Sequence, residues 1–260
     1  MDVYVPMTRA AAIVPVTLAV LGLIVNLAYV AAIARAAPEY LDVSRQGIAA
    51  PRGTLDHDLF GLVALPGLAV LHRSDDGAAM NSCSLGPAVR SIDGTRSGFV
   101  TAGHCAADHP DQFRQIGAEG QVVLLGRATD VVSSADYLMD SAVIWVPEGV
   151  DRRAASIAGV FPVAGVMSVD EVRTLPMGTP ICIDGTTSGV VCAGLVGTGD
   201  RIEYTKMTQE GDSGAPVFVV DGSRHAILIG IHQGIDAEGN SDATYLAPAL
   251  ARFGAVAATA

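Results

Sequence analysis

The run Gly211-Asp212-Ser213-Gly214-Ala215-Pro216 sets a serine among glycines, just ahead of the apolar stretch Val217-Phe218-Val219-Val220. Such a run reads as a tight turn feeding a strand. It lifts the Ser213 hydroxyl clear of the backbone and aims the N–H groups of Gly211 and Ser213 at a common spot, where an oxyanion would develop during attack on a carbonyl. Taken alone, the same six residues could be an ordinary glycine-rich turn. A serine hydroxyl also needs a base to become a nucleophile. Thr101-Ala102-Gly103-His104-Cys105 supplies one, because His104 follows the strand-like Gly98-Phe99-Val100 and has a cysteine beside it to pin its backbone. A lone histidine is more often a core or surface residue; paired with a positioned serine, its imidazole can take the hydroxyl proton and hand it to a leaving amine. The third member would be a buried carboxylate that fixes the ring tautomer. Asp140 directly precedes the apolar strand Ser141-Ala142-Val143-Ile144-Trp145-Val146 and is the choice, with Asp136 the rival and Asp130 third.

The elements that must hold these groups are short and strand-like. Leu59–Val63, Leu68–Leu71, Gly98–Ala102, Gln121–Leu125, Ala142–Val146, Pro216–Val220 and Ala226–Ile231 are apolar runs of strand length bounded by turn residues. No stretch between residues 59 and 240 has a sustained helical period, and only Leu246–Phe253 reads as a short closing helix. Regular strands without helices predict an all-β domain built as a sandwich or barrels. With 260 residues the chain can bury one large β domain or two small ones.

Outside that domain, residues 10–34 form an almost unbroken apolar run behind Arg9, long enough to cross a bilayer. Residues 1–36 are expected to be one N-terminal transmembrane or signal helix, with Ala34-Arg35-Ala36 resembling a cleavage site. The positive charge ahead of the run sends residue 37 onward across the membrane, so the domain is expected outside the cytoplasm, membrane-anchored if the helix is uncleaved and secreted otherwise. Residues 37–56 carry Pro, Gly and mixed charge and read as a linker or short pro-segment. A net charge of −11 with Lys206 the only lysine leaves no basic stripe, which argues against a nucleic acid partner. Four cysteines behind a membrane-targeting segment suggest disulfides formed outside the cytoplasm, and the absence of any C-x-x-C spacing argues against a metal site. No metal or organic cofactor is needed, since the chemistry is complete in side chains.

Thr101-Ala-Gly-His-Cys105 and Gly211-Asp-Ser-Gly-Ala-Pro216, in the order His, Asp, Ser, resemble the chymotrypsin-like serine proteases. Cys83-Ser84-Leu85-Gly86, the loop Cys182-Ile-Asp-Gly185-Thr-Thr187-Ser-Gly189-Val-Val-Cys192 and the closing Thr244-Tyr245-Leu246-Ala247-Pro248 narrow the resemblance to the secreted bacterial branch, the streptogrisin and α-lytic type. The resemblance covers roughly residues 59 to 255. It implies two antiparallel six-stranded β-barrels, about residues 57–155 and 156–255 of a domain spanning 57–255, with His104 and Asp140 on the first and Ser213 on the second. It implies Cys83–Cys105 and Cys182–Cys192 bridges, and a polypeptide substrate hydrolysed through an acyl-enzyme.

The chain departs from that pattern in three places. Gln233-Gly234-Ile235 matches the segment that binds the substrate strand, with Gln233 where a serine normally supports the buried aspartate and Ile235 where a glycine lines the pocket. Met207 matches the pocket floor, where a trypsin-like enzyme keeps an aspartate, so small or modest apolar side chains are the expected preference. The third departure concerns activation: no Ile/Val-Val-Gly-Gly sequence is present to free an amine for Asp212, and Ile183 stands where bacterial members often carry an arginine. Arg173 or Arg153 is the expected substitute. These departures motivate an alternative, a catalytically weak protease-like binding module at the cell surface.

Overall fold

The structure is a computed structural model that describes residues 39–47, 63–73, 80–107, 113–116, 122–133 and 139–260. Residues 40–260 form one compact unit. The apolar run 10–34, Asp136 and most of the strand expected at 59–63 lie outside the described residues. Among the described residues no helix is long and apolar enough to cross a membrane.

Among the described residues seven strands precede residue 150: β1 (Ala69–Arg73), β2 (Met80–Ser84), β3 (Ala88–Ser91), β4 (Ser97–Thr101), β5 (Phe113–Ile116), β6 (Val122–Ser133) and β7 (Asp140–Trp145). Nine follow: β8 (Ser156–Ile157), β9 (Phe161–Val166), β10 (Pro180–Gly185), β11 (Gly189–Thr198), β12 (Ile202–Tyr204), β13 (Pro216–Val220), β14 (Ala226–Ile235), β15 (Ser241–Tyr245) and β16 (Ala255–Ala257). Among the described residues two α-helices interrupt them, α1 (Val169–Arg173) and α2 (Leu246–Phe253). The second is the closing helix expected from the sequence. The first was not expected, because five residues are too few to show a period. It forms on a capping box, Ser168 and Glu171 each satisfying the other's backbone.

The later strands close on themselves in the order β13-β10-β11-β12-β15-β14 and back to β13, a six-stranded barrel with β9 and β8 appended. The earlier strands run β16-β3-β4-β7-β6-β5-β1-β2 and stay open among the described residues, a half-barrel rather than the closed barrel expected. The reason lies at the β2–β3 corner. There Leu85 N bonds Leu68 O and Gly86 N bonds Val100 O, which uses the connecting backbone, while the edge of β3 is taken by β16. That last strand returns from the second sheet's side of the chain and fastens the C-terminal segment onto the first sheet.

The strands that carry the site are apolar runs rather than alternating patterns because both of their faces are covered. All six residues of β7 and all five of β13 are buried. One core fills the half-barrel around Leu85, Phe99, Phe113 and Ile144, and another fills the closed barrel around Ile181, Ile183, Tyr204, Val217 and Ile229. A third joins Val100, Val143 and Trp145 of the first sheet to Phe161, Phe218, Leu228 and Phe253. The two sheets are thus cemented along the seam from which the site residues project.

Part of the stretch expected to be a linker is bound to the closed barrel. Leu41 N donates to Val220 O at 2.9 Å and Arg45 N to Val190 O at 2.8 Å, and Val43 is fully buried. The Ser44 hydroxyl accepts from Cys192 N at 2.9 Å.

Candidate active site

Asp140 opens β7 with its side chain fully buried, and it reaches His104 twice. Its Oδ1 accepts the His104 backbone N–H at 2.7 Å, and its Oδ2 faces Nδ1 of the ring at 2.6 Å. A carboxylate only accepts, so the ring proton sits on Nδ1 and the Nε2 lone pair is left for the cleft. The ring is 35% exposed. This close approach needs Gly103: a Cβ there would run into the Val132 carbonyl oxygen and crowd Ser141 N. A register slip in β6 between Thr129 and Val132 shapes the same spot, with Asp130 at φ 52° inside it. Asp130, the third choice from sequence, takes no part in the pairing with His104; its carboxylate accepts from Thr129 Oγ1. The Arg252 guanidinium in α2 holds this corner, donating to the carbonyls of Asp130 and Ser141 and to the Ser141 hydroxyl.

Gln233, the residue substituted for a serine, still supports Asp140, through an intermediary. Its Nε2 donates to Thr244 Oγ1 at 2.7 Å, and Thr244 Oγ1 accepts the Asp140 backbone N–H at 3.1 Å. Gln233 lies at a bulge where two residues of β14 face one of β15. The bulge turns its carbonyl toward the serine. The Ser213 hydroxyl donates to that carbonyl at 3.1 Å, and no hydrogen bond joins it to the His104 ring.

Ser213 is carried by a turn that only glycines permit. Gly211 has φ +98° and Gly214 φ +90°, backbone that side chains rarely adopt. A Cβ at 214 would strike Thr101 Oγ1 and lie 3.0 Å from Ala102 N, so the turn sits directly on the strand end leading to His104. Ser84 couples the two: its N–H donates to Ser213 O at 2.7 Å, its hydroxyl to Gly211 O at 3.0 Å, and Cys83 beside it is bridged to Cys105 beside His104. Ser84 was passed over in the sequence as part of a cysteine motif; nothing local marks a serine whose partners are 127 residues away. Among the described residues the N–H groups of Gly211 and Ser213 have no hydrogen-bond acceptor, whereas Asp212, Gly214 and Ala215 all donate theirs. The turn therefore presents two donors next to a hydroxyl and packs on the strand end that leads to the oriented His104 ring, an arrangement with the parts that acyl transfer needs.

Asp212 is fully buried, and among the described residues no cation pairs with it. Its oxygens accept from Thr187 N (2.9 Å), Ser188 N (3.0 Å), Ser188 Oγ (2.6 Å) and Gln209 N (2.8 Å). Neither expected arginine serves it: Arg153 pairs with Asp151, and Arg173 donates to Gly199 O. Two other buried groups flank the turn. Burial and the charge of Asp212 push the Asp184 carboxyl up to about 7 against one stabilising N–H from Ala158. Burial pushes His232 down to about 4, with Nδ1 facing Tyr204 Oη at 2.8 Å and Asp242 O at 3.0 Å.

The remaining expected pocket residues lie at the end of β14 and ahead of the turn. Ile235 pairs with Ser241 and is 46% exposed; a Cβ on Gly234 would meet open space. Met207 packs against the closed-barrel core, its N–H donating to Ser241 Oγ. Cys83, His104 and Cys105 bring possible metal-ligand atoms within 4.8 Å of one another, but both sulfurs are bonded to each other. The second expected bridge, Cys182–Cys192, joins opposed residues of β10 and β11.

No protein-family model and no curated protein matches this chain. Solved structures do. One is a glutamic acid-specific serine protease that uses a histidine triad in substrate binding, 20% identical over 75% of this chain and 100% of that one, with TM-score 0.54. Another is a Nocardiopsis protease, 22% identical over 75% of this chain and 98% of that one, with TM-score 0.50. The fold is that of the bacterial chymotrypsin-like serine proteases.

Proposed function

We propose that the chain is a serine endopeptidase working outside the cytoplasm, with Ser213 the nucleophile, His104 the general base and acid, and Asp140 the orienting carboxylate. The observation that carries the reading is the doubly bonded His104–Asp140 pair together with a glycine-built turn that packs on the strand end leading to His104 and leaves two N–H donors unused. A substrate strand lies along Gln233-Gly234-Ile235. The Ser213 hydroxyl leaves the Gln233 carbonyl for His104 Nε2, which takes its proton as Oγ attacks the scissile carbonyl. The resulting oxyanion is held by the N–H groups of Gly211 and Ser213. His104 then protonates the leaving amine, and water releases the acyl group by the same steps in reverse order.

Met207 and Ile235 narrow the primary pocket, so the enzyme prefers small or modest apolar residues on the acyl side. Two disulfides in the described residues fit an oxidising compartment, and the apolar segment 10–34 is the anchor or signal that takes the domain there.

A fluorophosphonate probe on the purified, oxidised protein tests the reading, followed by a panel of peptide substrates. Labelling of Ser213 that disappears in Ser213→Ala is expected, with turnover falling on the order of 10⁶-fold. No labelling of folded protein would instead favour the binding module, and cleavage chiefly after Glu, Lys or Arg would overturn the apolar preference.

A further inference from the structure

The Asp212 carboxylate braces the turn that aims Gly211 and Ser213, yet among the described residues no cation meets it. Its brace comes from the 186–188 loop, with Gln209 N adding the fourth bond. Ser188 contributes twice, by N–H and by hydroxyl; its hydroxyl makes the shortest of the four bonds and accepts in turn from Gln209 Nε2 at 3.4 Å. The fit leaves no slack: a Cβ on Gly185 would run into Asp212 Oδ1, and a Cβ on Gly211 would lie 2.5 Å from Thr187 Oγ1.

The same loop is fixed from behind. It is closed by Cys182–Cys192, and β11 at its base is held by the N-terminal strap, with Arg45 N on Val190 O and Ser44 Oγ accepting from Cys192 N. The chain of contacts runs from residues 44–45 through 190–192 to Ser188, then to Asp212, then to the two N–H donors.

We propose that Ser188 is a positioning residue for the oxyanion donors, braced by the strap Leu41–Arg45, and that this uncharged brace does the work a cation would do on Asp212. The inference rests on the serine-hydrolase reading of the site but is tested apart from it.

Ser188→Ala and Ser188→Thr are compared with the unaltered protein. A hydrogen bond to a charged group contributes about 1.5 to 3 kcal/mol, so Ser188→Ala should lower kcat roughly 10- to 100-fold with KM nearly unchanged, and Ser188→Thr should restore most of it. Amide exchange over residues 209–216 should accelerate in Ser188→Ala while that of β14 does not. Ser44→Ala, one step further back, should give the same pattern more weakly. Unchanged exchange at 209–216 in Ser188→Ala overturns the proposal whether or not the protein is an enzyme, as does a lowered melting temperature with kcat intact. An inert unaltered protein whose exchange still responds to Ser188→Ala overturns the hydrolase reading and leaves the brace standing.

Discussion

Around His104 the fixing groups are few and strong: one fully buried carboxylate takes both the backbone N–H and the ring, a disulfide pins the next residue, and Arg252 ties down the strand end behind. Around Ser213 they are many and individually modest. Two positive-φ glycines shape the turn, Ser84 holds two of its carbonyls, and four donors share Asp212. The two halves also differ in architecture, an open half-barrel against a closed barrel. The proposed base needs one ring held in one orientation, which a single short hydrogen bond to a carboxylate can do. The proposed nucleophile needs a hydroxyl and two backbone N–H groups aimed together, which takes a network.

The comparison can be broken most severely at its strong contact. Asp140→Asn keeps the shape but presents an amide to Nδ1 and favours the wrong tautomer, so kcat should fall by about 10⁴ with the fold retained. A loss of only tenfold, measured by burst-phase kinetics, would mean that His104 is oriented by something else. The disulfides give a smaller and more even test. Closing 22 residues (Cys83–Cys105) or 10 residues (Cys182–Cys192) is worth roughly 3 kcal/mol each on chain entropy, slightly less for the shorter loop. Replacing each pair by serines should therefore cost similar stability in denaturant titrations. The functional effects should differ: losing the first pair disturbs His104, whereas losing the second slackens the Asp212 brace and reproduces the kcat loss of Ser188→Ala.

The effect confined to the fewest groups concerns pH and belongs to the closed barrel alone. Asp184 is raised from 3.8 to about 7, so the stability it confers is complete below 3.8 and disappears as pH rises toward 7. His232 is lowered from 6.5 to about 4, so its contribution is complete above 6.5 and disappears as pH falls toward 4. Between pH 4 and 6.5 the two slopes oppose each other. Asp184→Asn should leave a stability that climbs with pH across this window, and His232→Gln one that declines, each by up to about 1.4 kcal/mol per pH unit. Unfolding followed by Trp145 fluorescence would measure both, and parallel profiles for the variants and the unaltered protein would refute the assignment.

Much of this was legible in the chain because it is local. The turn around Ser213 is written in its glycines, since φ near +90° is open to little else, and Gly103 before His104 marks a backbone that must pass close to another. Buried strands such as Pro216–Val220 announce themselves as unbroken β-branched runs, and Leu246–Phe253 as a helix with a left-handed glycine after it. Other strands did not: Ser241–Tyr245 is polar by composition yet fully buried, because its hydroxyls and carboxylate are used in hydrogen bonds between distant segments.

Residue types and their order along the chain offered a hydroxyl, an imidazole and a carboxylate as candidates, and the resemblance to the streptogrisin and α-lytic type implied both disulfides, which the structure contains. The folded chain alone decided how they are held. That Asp212 would be met by a serine and three N–H groups rather than an arginine, that Gln233 would act through Thr244, and that residues 41–45 would brace a loop some 150 positions later are facts of long-range contact. Hydrogen bonds fall off within a few tenths of an ångström, so only the packed sheets, which set those distances, could choose among partners that the sequence offered equally.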